Sequence, residues 1–148
     1  MKTLLKTNFI FFIFLLFNYT PAQNYPTWYN NLEDGIDAAK AEGKKVLLLF
    51  TGSDWCGWCQ KLSAEVFRQK EFAEFADYHL ACVAIDFPKW KYQSDEEKEY
   101  NKKLARNFGV TGYPTVFLLD KSGKILGRTG YQAGGAEAYI EHIKSFLR

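Results

Sequence analysis

The apolar positions of this 148-residue chain change spacing several times, and each change marks an element. Between Trp28 and Ala41, Leu32, Ile36 and Ala39 recur at intervals of four and three with Gly43 just beyond, which predicts a helix and its stop. Val46 to Phe50 is an unbroken apolar run of strand length, the pattern of a strand covered on both faces. Helical spacing returns at Cys56: Cys59, Leu62 and Val66 share one face, and Phe72 and Phe75 extend it after a break expected at Arg68 to Lys70. Leu80 to Asp86 reads as a second buried strand. The stretch FPKWKYQSDEEKEYN then opens as a loop with Trp90 and Tyr92, and Ser94 and Glu97 follow at capping-box spacing. A helix to Phe108 comes next, with Tyr100, Leu104 and Phe108 four apart and a Glu99–Lys103 pair on its solvent side. Thr115 to Leu119 and Lys124 to Arg128 flank Asp120-Lys121-Ser122-Gly123 and predict a hairpin. A last helix, Ala136 to Leu147, turns Tyr139, Ile140, Ile143 and Phe146 inward.

The elements run helix, strand, helix, strand, helix, strand, strand, helix. Helix-separated strands pair in parallel and the hairpin adds an antiparallel edge, so the expected class is α/β with a central mixed β-sheet flanked by helices. No repeat, low-complexity tract or second domain interrupts the pattern.

The first residues follow a different logic. Lys2 and Lys6 form a basic start, Phe9 to Phe17 is apolar, and Thr20-Pro21-Ala22 ends in a small residue, the pattern of a secretory signal peptide over residues 1–22. The apolar run falls short of the roughly 20 residues that span a bilayer, with an uncleaved anchor as the alternative. A cut after Ala22 leaves residues 23–148 as one domain and a periplasmic or secreted location. Without Lys2 and Lys6 the 19 basic residues fall to 17, against 17 acidic ones. No basic footprint remains, so nucleic acid is not an expected partner.

Export places the cysteines in an oxidising compartment, where a pair either staples a fold or exchanges electrons. Two of the three lie in DWCGWC, Asp54 to Cys59, where a strand turns into a helix. At i and i+3 in a first helical turn their Cα atoms stand about 5 to 6 Å apart, within disulfide range. Cys56 meets the unsatisfied N–H groups and positive dipole end of the helix, which favour the thiolate and commonly bring a cysteine from about 8.5 to between roughly 3.5 and 7.5. Cys56 is then the attacking sulfur and Cys59 resolves the mixed disulfide. A structural staple is the bland alternative, though so short a loop removes little unfolded-state entropy. A zinc site would have to recruit Cys82, His79 and His142, none in paired spacing with the motif, and no metal is expected.

With DWCGWCQKL at Asp54 to Leu62 and GVTGYPTVFLLD at Gly109 to Asp120, the chain resembles the thioredoxin superfamily, in particular secreted bacterial thioredoxin-like proteins with a WCxxC site. The resemblance spans roughly Trp28 to Leu147 and implies a thioredoxin fold with Pro114 cis beside the cysteines; an ordinary trans proline is the alternative. It further implies a protein-disulfide oxidoreductase of exported proteins needing no cofactor. Cys56 and Cys59 would be catalytic, and Trp55, Gly57, Trp58, Gly112, Tyr113 and Pro114 would hold substrate. Reduction is expected over oxidation because WCGxC is similar to the reducing members. The expected partners are cysteine-bearing exported proteins and a membrane electron donor, and the expected state is a monomer. A non-catalytic binding module and a dedicated reductant for cytochrome c assembly are the alternatives.

The chain departs from the family in three places. Trp58 replaces the usual proline, Leu49 stands where a buried acid is usual, and Cys82 stands where a lysine is usual. Cys82 is expected as a small core residue, with a regulatory thiol as the alternative. Trp55 is expected as a partly buried wall and Trp58 as an exposed ring, while Trp90 and Tyr92 are read either as local packing or as a substrate-facing flap.

Overall fold

The computed structural model describes residues 25–148, so the expected signal peptide at residues 1–22 lies outside the described residues. In chain order the elements are β1 (Trp28–Tyr29), α1 (Leu32–Glu42), β2 (Lys45–Thr51), α2 (Gly57–Leu62), a π-helical turn (Ser63–Phe67), α3 (Lys70–His79), β3 (Leu80–Asp86), α4 (Asp95–Asn107), β4 (Thr115–Leu119), β5 (Ile125–Thr129) and α5 (Gly135–Lys144). Across the sheet the strands run β1-β3-β2-β4-β5. The first three are parallel, and β4 and β5 join antiparallel. This is the expected mixed sheet flanked by helices.

The run VLLLF follows from the central place of β2. It pairs with β3 from Lys45↔Leu80 to Thr51↔Asp86 and with β4 from Val46↔Leu119 to Phe50↔Thr115. Successive side chains of a strand point to opposite faces. Val46, Leu48 and Phe50 therefore enter one core with Leu32 of α1 and Leu104 of α4. Leu47 and Leu49 enter the other with Leu62 of α2, Phe72 of α3 and Tyr139 of α5. Both faces are covered, which is why the run from Val46 to Phe50 is apolar throughout.

Trp28 and Tyr29 do not begin a helix, contrary to the periodicity. They form a short edge strand opposite Cys82 and Val83, and α1 starts after Asn31, whose Oδ1 accepts from the Asp34 amide at 2.8 Å. A two-residue strand is too short to carry a period of its own, and the cap decides the boundary. Gly35 lets α1 lie on the sheet, since a Cβ there would stand 2.1 Å from Val83.

Two further boundaries differ, while the second helix breaks where the sequence placed it. The second helix passes through the π turn before its break at Arg68 and Gln69. The hairpin strand begins at Ile125, one residue late, because Asp120 Oδ1 accepts from the Ser122 and Lys124 amides and draws Lys124 into the turn. The last helix ends at Lys144. In α4 the Ser94 hydroxyl caps the Glu97 amide at 3.1 Å, but the Glu97 carboxylate accepts from Gln93 Nε2 at 3.0 Å and leaves the capping box half formed. Glu99 pairs with Lys102 at 3.0 Å, one turn position earlier than the expected Lys103.

Candidate redox site

The site grows from the end of β2. Gly52 O accepts from the Trp55 amide at 3.3 Å and the Cys56 amide at 2.9 Å, folding TGSDW into a tight turn. Gly52 must be glycine here, because a Cβ would come within 2.5 Å of the Trp55 indole. The sequence pattern gave no sign of this, since the contact exists only once the ring folds back over the turn.

Cys56 is the N-cap of α2, and its sulfur accepts from the Cys59 amide at 3.2 Å. The two cysteines form a disulfide with a Cα separation of 5.2 Å, inside the range expected from their spacing. Cys56 is 7% exposed and Cys59 5%, so in this state the cap cysteine is almost as covered as its partner.

Two aromatic groups border the pair. On one side Trp55 Nε1 donates to Phe87 O at 2.7 Å, its ring meets Tyr113 edge-on at 5.9 Å, and Tyr113 stacks on Phe87 at 5.1 Å. These contacts draw the Gly112-Tyr113-Pro114 loop against the cysteine loop, and the Tyr113–Pro114 bond is cis. Thr115 Oγ1 donates to Gly112 O at 2.7 Å within that loop. Gly57 and Gly112 are exposed, and a Cβ on either would meet nothing within 4 Å, so packing requires neither glycine. On the other side Trp58, 59% exposed, leans on Tyr131 at 5.1 Å, with Lys61 Nζ 5.4 Å from its ring centre. Tyr131 donates to Glu65 at 2.6 Å, and that bond raises its pKa by holding the phenol proton. Tyr131 lies in a loop with no periodic pattern, so nothing in the sequence singled it out.

A second tie joins the cysteine loop to the segment after β3. The Asp54 carboxylate accepts from the backbone amides of Lys89, Trp90 and Lys91 at 2.9, 2.8 and 3.0 Å. Desolvation opposes its charge, but these amides outweigh it and hold the carboxyl below its ordinary value. Ser53 donates to Asp86 through both its amide and its hydroxyl, and Lys91 Nζ reaches the Ser53 hydroxyl at 3.0 Å. Sequence reasoning missed Asp54 and Ser53; the only available signal was a polar pair inside a turn. Trp90 and Tyr92 are 81% and 94% exposed, so local packing does not explain them.

Leu49 stands in a cleft of about 660 Å³ that Cys59 also lines, with Thr51, Ser53 and Gln60, and no acidic side chain is among the residues around it. Cys82 is a free thiol, buried in the apolar layer with Leu47 and Leu62. The other residues of the zinc alternative lie in separate settings: His79 packs on Phe75 at 4.7 Å and His142 bonds Thr129 at 2.8 Å. Among the described residues no three His, Cys, Asp or Glu side chains converge to hold a metal.

Residues 32–145 match the thioredoxin-like domain family. The chain belongs to that family. Among its relatives, this thioredoxin-like chain is 37% identical over 120 residues to the disulfide bond reductase DsbH of Chlamydia pneumoniae, an alignment covering 81% of this chain and 72% of DsbH. The thioredoxin-related protein DsbJ of Chlamydia pneumoniae is 26% identical over 128 residues, which cover 82% of this chain but 37% of DsbJ. The solved structure of a DsbH oxidoreductase superposes with a TM-score of 0.78 at 35% identity, covering 89% of this chain and 92% of that one.

Proposed function

We propose that this protein is a reductase of disulfides in exported proteins, working in the periplasm or outside the cell after loss of residues 1–22. The thiol–disulfide oxidoreductase chemistry itself is that of the Cys56–Cys59 pair. The observation that carries it is a disulfide of neighbouring cysteines at a helix cap, bordered by Trp55, Trp58 and the cis Tyr113–Pro114 loop. The Cys56 thiolate attacks one sulfur of a client disulfide, forming a mixed disulfide and releasing the other client sulfur as a thiolate. The Cys59 thiolate then attacks Cys56, the second client thiolate leaves, and two electrons have passed to the client as the pair closes. Leu49 occupies the place of a proton-accepting acid, so the Cys59 proton leaves to water in the adjoining cleft. Trp55, Gly57, Trp58, Gly112, Tyr113 and Pro114 form the surface on which the client backbone lies.

Similarity to a protein named as a disulfide bond reductase favours the reducing direction. Two measurements test it: turnover of insulin with dithiothreitol as electron source, and the midpoint potential of the Cys56–Cys59 couple in dithiothreitol or glutathione buffers. A reductase should turn over insulin and sit near about −270 to −200 mV, whereas a value near about −120 mV would make the protein an oxidant. Absence of turnover with an intact, reducible pair would leave a binding module.

A further inference from the structure

Resting on the oxidoreductase reading, a second recognition element stands beside the cysteine loop. The segment from Phe87 to Gln93 has no regular structure, yet it is bound at every turn: Phe87 O takes the Trp55 indole N–H, the Asp54 carboxylate takes three consecutive amides, and Gln93 Nε2 donates to Asp86 O at 3.1 Å. Lys89 Nζ lies 4.2 Å from the Trp55 ring centre. A loop so tightly held nevertheless exposes Trp90 at 81% and Tyr92 at 94%. Large rings left in water on a rigid backbone mark a binding surface, because their burial is gained only when a partner arrives and little ordering entropy is lost.

We infer that Asp54 is a positioning residue that holds Trp90 and Tyr92 as a platform for the client segment flanking the reacting cysteine, and that the platform selects clients with an aromatic or apolar residue near that cysteine. The occupant follows from continuity. Asp54 precedes Trp55 and Cys56 directly, so any chain joined to Cys56 in a mixed disulfide leaves the sulfur beside this loop. An extended client segment that crosses Trp55 runs onto the loop that Trp55 and Asp54 hold, whereas a folded, polar surface gains nothing from its exposed rings.

The test uses two disulfide-bonded peptides, one with tryptophan two residues from its cysteine and one with glycine there, and reads kcat and KM for each with the wild type, Trp90→Ala, Tyr92→Ala and Asp54→Ala. The wild type should favour the tryptophan peptide by about tenfold in kcat/KM through KM. Trp90→Ala and Tyr92→Ala, both at exposed side chains, should each cut that ratio severalfold, and Asp54→Ala should collapse it toward one, with the loss of preference falling on KM for the tryptophan peptide. A wild type without preference, or variants that lose equally on both peptides, overturns the platform while leaving the oxidoreductase reading intact. A wild type that reduces insulin but neither peptide overturns the platform alone, and one that reduces neither the peptides nor insulin overturns both.

Discussion

Burial in the apolar layer between the sheet and the α3–α5 side pushes the Cys82 thiol up to about 12, well above its ordinary value. Raised in the folded state, this pKa leaves stability whole below the thiol's ordinary value of about 8.5; as pH rises past it, the unfolded chain ionises the thiol while the folded chain keeps its proton. By pH 10.5 that difference removes about 2 to 3 kcal/mol of stability. Cys82→Ala should therefore flatten the alkaline part of the stability profile, read from urea unfolding at pH 7 and pH 10.5. Burial raises the Tyr100 and Tyr139 phenols in the same sense, so some alkaline loss should persist in the variant. In the folded, reduced protein Cys82 should also resist iodoacetamide. Cys59→Ser removes the resolving sulfur while leaving Cys56 as nucleophile, so it should accumulate mixed disulfides with clients. These should appear as adducts on a non-reducing gel and collapse with dithiothreitol, and the double variant Cys56→Ser, Cys59→Ser should trap nothing. Both cysteines were legible from spacing alone. Gly52 and Asp54 were not, because their importance comes from a ring and a loop that arrive from elsewhere in the chain.

At the scale of elements, close approach rather than propensity sets how α1 meets the sheet. A Cβ on Gly35 would lie 2.1 Å from Val83 Cγ2, and Val83 is fully buried in β3. Gly35→Ala should gain a little helix propensity yet destabilise the protein by about 1 to 3 kcal/mol through overpacking. Adding Val83→Ala should return part of that loss, a coupling that denaturant unfolding of the four proteins in a double-mutant cycle would measure. The π turn works similarly on the second helix. It brings Val66 and Phe67, consecutive in sequence, both into buried positions. The spacing of Cys59, Leu62 and Val66 marked the buried face without including Phe67, whose ring packs against Trp28 and Phe72.

For the whole molecule, the proposed export would set which clients the pair meets. Expressed with residues 1–148 in a bacterial host, the protein should be recovered from the periplasm with Gln23 as its first residue, read by terminal sequencing. Retention in the membrane with Met1 intact would instead indicate an anchor. The sequence alone determined the α/β class, the buried central strand and the reactive pair, because hydrophobic period and short spacing are local quantities that need no partner to be read. It also held the GYPT segment whose resemblance implied the cis Tyr113–Pro114 bond. Tertiary structure decided what surrounds the pair. Trp28 and Tyr29 became an edge strand because β3 offered them backbone partners. Tyr131 came to support Trp58 from 73 positions away in the chain. Asp54 acquired three amides from the segment after β3, and through them control over where Trp90 and Tyr92 stand. Each of these depends on a contact between distant residues, and distance along the chain leaves no periodic trace until folding closes it.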